Sequence, residues 1–159
     1  MVRFVEFEET DRFPFPRPQV WSLLQSHRED AEIRRVHPLI RRQATLSRTD
    51  EEQIVERTID VRGRLLTSRW RLIYRPPEFA SYEVLESEGP WSVGTRVESQ
   101  YRELPGATEI ASRIRAHVAV VPWFFPQGLL ARSVLNQIDE EDRAYLRAGG
   151  ARGPGASVP

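Results

Sequence analysis

Residues 62–94 have the sequence RGRLLTSRWRLIYRPPEFASYEVLESEGPWSVG, and this stretch decides the fold. It opens on a tight turn at Arg62-Gly63 and contains two alternating segments, Arg64–Tyr74 and Phe79–Ser87, separated by a turn around Pro76-Pro77. Side chains of a strand point alternately to its two faces, so each segment predicts a strand with an apolar and a polar face. Parallel strands need crossover helices, for which these short turns leave no room. The stretch therefore predicts consecutive antiparallel strands.

Similar segments continue in both directions from this stretch. The other predicted strands are 2–9, Leu39–Arg48, Gln53–Val61, Gly94–Leu104 and Thr108–Val121. The predicted helices are a first one from Pro18 to about Gln25, a short polar one at Glu29–Arg35, and a long one at Gln127–Arg147. Leu130, Val134, Leu135 and Ile138 recur in the long helix at helical spacing, whereas Asp139–Asp142 predicts a more solvated second half.

The composition is that of a folded globular protein and excludes several chemistries. The chain has 159 residues, of which 40% are hydrophobic and 29% charged, as expected for one domain. It contains no cysteine and no lysine, which excludes thiolate metal sites, cysteine nucleophiles, Schiff bases and a P-loop lysine. Its formal net charge of zero disfavours nucleic acid as a partner. No apolar run is long enough for stable membrane insertion, and the alternating N-terminus lacks a signal-peptide core, so we expect a cytoplasmic protein.

Three stretches together resemble one known superfamily. They are PRPQVW at residues 16–21, a proline-led entry to the first helix; GPWSVGTR at residues 89–96, before the penultimate strand; and the amphipathic helix after the last strand. In this order they resemble the START-like, or Bet v 1-like, helix-grip superfamily, which includes polyketide cyclase/dehydrase-like and lipid-transfer proteins. The resemblance covers residues 2–147.

The resemblance implies an α+β helix-grip fold: a seven-stranded curved antiparallel sheet wrapped around a long C-terminal helix, with two short helices after the first strand. We expect this domain to span residues 1–148, followed by a flexible Gly/Pro-rich tail at 149–159. The superfamily holds sterols, lipids, plant hormones, polyketides and quinones between sheet and helix, and it includes proteins without an identified ligand. It shares no catalytic motif, so no catalytic residue is carried over.

We predict a ligand pocket between the inward-facing sides of the strands and the apolar stripe of the long helix. Bulky apolar groups combined with a few hydroxyls are the usual lining of a small-molecule site. The candidate ligand-binding residues are Arg57, Leu66, Ser68, Trp70, Leu72, Val97, Ser99, Tyr101, Ser112, Ile114, Leu130, Val134 and Ile138. The alternative is an ordinary filled core, in which these side chains touch no ligand.

Arg57 is the one charged residue in this set. It lies at two-residue spacing from Val55 and Ile59, which predicts an inward side chain. An inward arginine needs an acidic partner or an anionic ligand, because an unpaired buried charge is costly, and it would bind a carboxylate as a bidentate donor. The alternatives are an arginine on the outer face or a structural ion pair with Glu83.

The three histidines lack the spacing of metal ligands, so we expect no metal site and no cofactor. His37 precedes a proline at a helix-to-strand corner near the predicted cavity mouth, where it is either an acid–base group or a capping or exposed residue. His27 and His117 are expected to be exposed. The loop aromatics Trp91, Trp123, Phe124 and Phe125 form a lid, a membrane-touching rim, or a plug for the open end of the sheet.

Three functions remain open at this point. The leading hypothesis is a protein that binds or carries an apolar or amphipathic small molecule. The second is a cyclase/dehydratase-type enzyme in which Tyr101, Ser99 or His37 transfers a proton. The third is an interaction module with a filled core. No set of convergent ionisable residues is evident on the inner faces, and this favours binding over catalysis.

Overall fold

The computed structural model describes residues 2–119, 121–122 and 124–149. In chain order the elements are β1 (Val5–Phe13), α1 (Arg17–Arg28), α2 (Ile33–Val36), β2 (Ile40–Arg48), β3 (Glu52–Val61), β4 (Arg64–Arg75), β5 (Phe79–Ser87), β6 (Arg96–Leu104), β7 (Ala107–Ala116) and α3 (Gln127–Arg147). The predicted α+β architecture of seven strands, two short helices and a long C-terminal helix is confirmed. The predicted tail, apart from Gly149, lies outside the described residues.

The seven strands form one curved antiparallel sheet in the order β1-β7-β6-β5-β4-β3-β2. From β2 to β7 each strand pairs with the next one along the chain, as the closely spaced turns predict. The turn between β3 and β4 shows why these hairpins close tightly. Arg62 and Gly63 both have positive φ angles, of 53° and 82°, which the favoured two-residue hairpin turn requires.

Two predicted strands differ most from the observed ones. β1 runs from Val5 to Phe13 and not over residues 2–9, because it pairs with β7 along its whole length, as far as Phe13 opposite Thr108. β7 ends at Ala116 and does not continue to Val121. Both ends are set by the partner strand, which the local sequence does not reveal.

The core lies between the concave face of the sheet and the helices, in two clusters that both contact Trp70. The first cluster packs α1 against the sheet, with Leu23 and Tyr74 at its centre. The second includes Ile114 and the α3 residue Ala131, with Leu130 and Val134 packed against it.

Helix α3 lies against α1, α2 and β1. Within the part of the chain that the structure describes, no helix is long and apolar enough to cross a membrane.

Candidate functional site

The strand candidates share the inner face of the sheet, as their cross-strand register shows. Ser99 lies opposite Ser112, and their hydroxyl groups are 2.7 Å apart. Leu66, Ser68, Leu72, Ser99, Tyr101 and Ile114 are buried, whereas Arg57, Trp70, Val97, Ser112, Leu130, Val134 and Ile138 are half-buried. The half-buried side chains keep part of their surface accessible to solvent.

Trp70 and Arg57 stand side by side on this face. The Trp70 indole N–H donates to Ser68 Oγ at 2.8 Å, which fixes the ring, and the Arg57 guanidinium lies 5.8 Å from the ring centroid. Arg57 Nε donates to Gln43 Oε1 at 2.7 Å, and Nη2 donates to the His27 carbonyl at 3.4 Å. Arg57 therefore points inward, as the strand alternation predicts.

No carboxylate pairs directly with Arg57 among the residues that the structure describes. Glu83, the partner considered from the sequence, lies 3.8 Å from Arg71 instead. Asp30 reaches Arg57 only through the Gln43 amide, whose Nε2 donates to Asp30 at 3.2 Å. Burial lowers the pKa of the Arg57 guanidinium. The carbonyl at the end of α1 and the Trp70 ring stabilise this cation without neutralising it.

Beside Arg57, the structure brings together a histidine cluster, which we define as His27, His37 and Asp142. Their side chains come from the last turn of α1, the corner after α2 and the fifth turn of α3, respectively, and all three are buried. His37 occupies this corner because Pro38 disfavours helical backbone at the preceding residue, and its φ and ψ are −122° and 92°.

One oxygen of Asp142 joins the two imidazoles. Asp142 Oδ1 lies 3.1 Å from His27 Nε2 and 3.1 Å from His37 Nε2. On the far side of each ring, His37 Nδ1 lies 2.8 Å from Glu141 Oε2, and His27 Nδ1 lies 3.3 Å from the Tyr82 hydroxyl. A continuous polar chain therefore runs from Glu141 to Tyr82.

The two histidines of this chain differ in protonation. Burial lowers the pKa of His37, but hydrogen bonds to Asp142 and Glu141 outweigh it and raise the pKa to about 9. For His27 burial prevails over the attraction of Asp142, and its pKa is lowered. Burial also raises the pKa of Asp142, but the two histidines overcome it and hold the value at about 2. At neutral pH, His37 is thus an imidazolium, while neutral His27 donates from Nε2 and accepts the Tyr82 hydroxyl at Nδ1.

Tyr74 adds an unsatisfied polar atom to this region. Its side chain is fully buried, and its hydroxyl has no hydrogen-bond partner among the described residues. The Tyr74 ring lies 6.1 Å from the Tyr82 ring and 4.9 Å from the Arg28 guanidinium. The Tyr74 phenol thus lies beside the Tyr82 phenol in the buried part of the site, where burial raises the pKa of both hydroxyl groups.

The sequence-based expectations for the ionisable residues were wrong in three respects. His27 is buried, not exposed; Asp142 is buried in a helix segment expected to be solvated; and ionisable groups do converge inside the protein. A signal for the first existed, because His27 continues the apolar stripe of Val20, Leu23 and Leu24 at helical spacing.

The loop aromatics divide between two of the expected roles. Trp91 is 9% exposed, forms a β-bridge with Val118 and belongs to the second core cluster, so it closes the sheet end as a plug. Phe124 and Phe125 are 67% and 43% exposed, and therefore do not plug it. Trp123 lies outside the described residues.

Comparisons with known proteins identify the fold, which is Bet v 1/START-like. No family model and no curated protein matches this chain. Ara h 8.0201 superposes with a TM-score of 0.74 at 11% identity, covering 92% of this chain and 99% of its own. The Zhui aromatase/cyclase from Streptomyces sp. R1128 gives 0.67 at 18%, covering 94% and 100%, and a START superfamily protein from Mycobacterium smegmatis gives 0.69 at 13%, covering 90% and 97%. The predicted resemblance is confirmed at the level of the fold.

Proposed function

We propose that this protein binds an amphipathic small molecule with an anionic oxygen group, in the space between the sheet and α3. Arg57 carries the proposal, because it is an inward-facing cation without a carboxylate partner among the described residues. A bound carboxylate, sulfonate or enolate would supply the missing charge through bidentate hydrogen bonds. The apolar part of the ligand would lie against Trp70 and the α3 residues Leu130 and Val134.

Two further observations support a hollow interior. On the middle strands, Trp70, Tyr82 and Val97 are half-buried on the inner face, and Trp70 contacts both core clusters without being enclosed by either. Small hydroxyl residues, Ser68, Ser99 and Ser112, stand where larger ones would fill the space. The fold is also one that an aromatase/cyclase of known structure uses.

A matched pair of fluorescent dyes tests the role of Arg57. 8-Anilinonaphthalene-1-sulfonate and N-phenyl-1-naphthylamine share one aromatic skeleton, but only the first carries an anion. Replacing Arg57 by Met should weaken binding of the sulfonate dye by about 10–100-fold, because a charged hydrogen bond contributes about 1.5–3 kcal/mol. The affinity for the neutral dye should hardly change. Arg69→Met, on the outer face of β4, is the matched control. Equal losses for both dyes would contradict an anionic anchor, and binding of neither dye to the parent protein would contradict the pocket.

An acid–base enzyme of the cyclase/dehydratase type is the second candidate. The observation in its favour is the Tyr82 hydroxyl, half-buried on the inner face and 3.3 Å from the neutral imidazole of His27. Burial raises the pKa of Tyr82, so the phenol keeps its proton and is placed to pass it between a ligand carbonyl and His27. Two of the three groups considered from the sequence fit less well, because Ser99 bonds to Ser112 and His37 is held between two carboxylates.

Solvent deuterium exchange tests this candidate without a known substrate. The protein should accelerate deuterium incorporation beside the carbonyl of a bound aryl ketone, as followed by NMR. Tyr82→Phe should abolish this acceleration but weaken binding of the ketone by no more than about tenfold, the effect of one lost hydrogen bond. Exchange that is unchanged in Tyr82→Phe would reject the enzyme and leave the binding function.

A further inference from the structure

Three donor atoms converge at the buried histidine cluster. One ligating atom from each of His27, His37 and Asp142 lies within 4.8 Å of the other two. Both Nε2 atoms are 3.1 Å from the same oxygen, Asp142 Oδ1. A tetrahedral metal ion bound at about 2.0–2.2 Å holds its ligand atoms about 3.3–3.6 Å apart, which is close to the two separations of 3.1 Å in the cluster.

The opposite nitrogen of each imidazole is also held. His37 Nδ1 faces the Glu141 carboxylate at 2.8 Å, and His27 Nδ1 faces the Tyr82 hydroxyl at 3.3 Å. Metal-binding histidines almost always engage a carboxylate, carbonyl or water through their second nitrogen, which fixes the ring and its tautomer. Here these contacts direct both Nε2 atoms toward Asp142.

The charges and an access route also suit a cation. Asp142 and Glu141 place two carboxylates around the two imidazoles, and a divalent ion bound between them would take over the positive charge that His37 carries. On binding, His37 would release its Nε2 proton to solvent, and the His27 hydrogen would move from Nε2 to Nδ1, where the Tyr82 oxygen accepts it. On the surface side, a groove of about 360 Å³ is lined in part by Pro38 and Glu141, the sequence neighbours of His37 and Asp142.

We propose that His27, His37 and Asp142 bind one divalent first-row transition-metal ion, of the class represented by Zn²⁺ and Fe²⁺. Two imidazoles and one carboxylate suit these ions, whereas Mg²⁺ and Ca²⁺ prefer oxygen ligands. Three protein ligands leave at least one coordination position for water or for a bound molecule. The site rests on the histidine cluster and not on Arg57, so it is tested separately from the anionic ligand.

Metal titration of the full chain, without a polyhistidine tag and stripped with a chelator, tests this site. Calorimetry should show one Zn²⁺ bound per chain, and Co²⁺ should develop visible absorption bands at the same stoichiometry. His27→Gln and Asp142→Asn should each weaken Zn²⁺ binding at least tenfold. The matched control is His117→Gln, because this third histidine bonds to Ser92 Oγ, away from the cluster, and its loss should leave the affinity unchanged.

The parent protein provides a measurement that does not depend on variants folding. Stoichiometric Zn²⁺ should raise its melting temperature, since an ion that binds only the folded state stabilises it, and equal Mg²⁺ should not. The proposal is overturned if the parent binds no Zn²⁺ saturably at one per chain. It is also overturned if Asp142→Asn and His27→Gln bind as tightly as the parent, or if His117→Gln loses as much affinity as His27→Gln does.

Discussion

The replacement Asp142→Asn should remove most of the pH dependence of stability above neutral pH in the metal-free protein. The His37 pKa is raised from 6.5 to about 9 in the folded state. Such a difference corresponds to about 3 kcal/mol of preferential stabilisation of the imidazolium form by folding. This stability is fully present below pH 6.5, the unfolded value, and is lost as the pH rises through about 9.

Between these two pH values His37 is the member of the cluster that titrates. Asp142, with a pKa of about 2, is ionised in both the folded and the unfolded state. His27 has a lowered pKa, so it costs stability only where the unfolded histidine is protonated, below about pH 6.5. On the facing elements, the groups that contact the His37 ring nitrogens are Asp142 and Glu141.

Urea unfolding with a chelator present, at pH 6.5 and at pH 10, measures the effect. Within the unfolding free energy that the parent protein loses between the two pH values, His37 should account for about 3 kcal/mol. Asp142→Asn should lose less than half as much, since Glu141 alone then holds the imidazolium, and at pH 6.5 it should be about 3 kcal/mol less stable than the parent. Glu140→Gln, an exposed neutralisation in the same helical turn, should keep the parent slope. Equal slopes in the parent and Asp142→Asn would refute the account of His37.

Three other variants have definite expected outcomes. Trp70→Ala should cost about 2–3 kcal/mol in urea unfolding, less than a fully packed tryptophan, because its ring is only half-buried; a loss near 5 kcal/mol would indicate a filled core. Tyr82→Phe should cost about 1 kcal/mol for its hydrogen bond to His27, and a variant as stable as the parent would contradict that bond. Burial, then the neighbouring Asp142, raises the pKa of Asp139 to about 7. A raised carboxyl pKa costs stability above its unfolded value, so Asp139→Asn should be more stable than the parent at pH 8 and nearly equal to it at pH 3.5; no gain at pH 8 would contradict the shift.

The fold was predictable because its signals are local. Strand alternation and turns at Arg62-Gly63 and Pro76-Pro77 recur at short intervals, and each hairpin needs only its own residues to form. The bounds of α3 were predicted without error, because Pro126 precedes the helix and its apolar stripe is regular. β1 failed for the opposite reason. Its partner, β7, lies about a hundred residues away, and the pairing carries the strand past the point where alternation alone would end it.

The residues of the inner face were predictable in the same way, but the ion-pairing of Arg57 on that face was not. Alternation assigned Trp70 and Arg57 to the concave side, and the cross-strand register agrees. Whether Arg57 pairs with a carboxylate depends on which strands are neighbours. Because β4 pairs with β5, Glu83 lies opposite Arg71 on the outer face. The lack of a direct carboxylate partner for Arg57 among the described residues thus follows from the sheet register and not from any residue near Arg57 in the sequence.

The histidine cluster escaped the sequence analysis because its members come from three separate elements. Metal and catalytic motifs are recognisable where one helix or hairpin fixes the spacing of the ligands, whereas residues 27, 37 and 142 become neighbours only through the packing of α1, α2 and α3. Helical periodicity still held a clue. His27 continues the stripe of Leu23 and Leu24 on α1, and Asp142 follows Ile138 and precedes Tyr145 on the inner stripe of α3. A buried imidazole needs a hydrogen-bond partner, and a buried carboxylate needs a cation. When one helix carries a histidine and another an aspartate on the faces that pack together, as α1 and α3 do, each residue supplies the partner that the other needs.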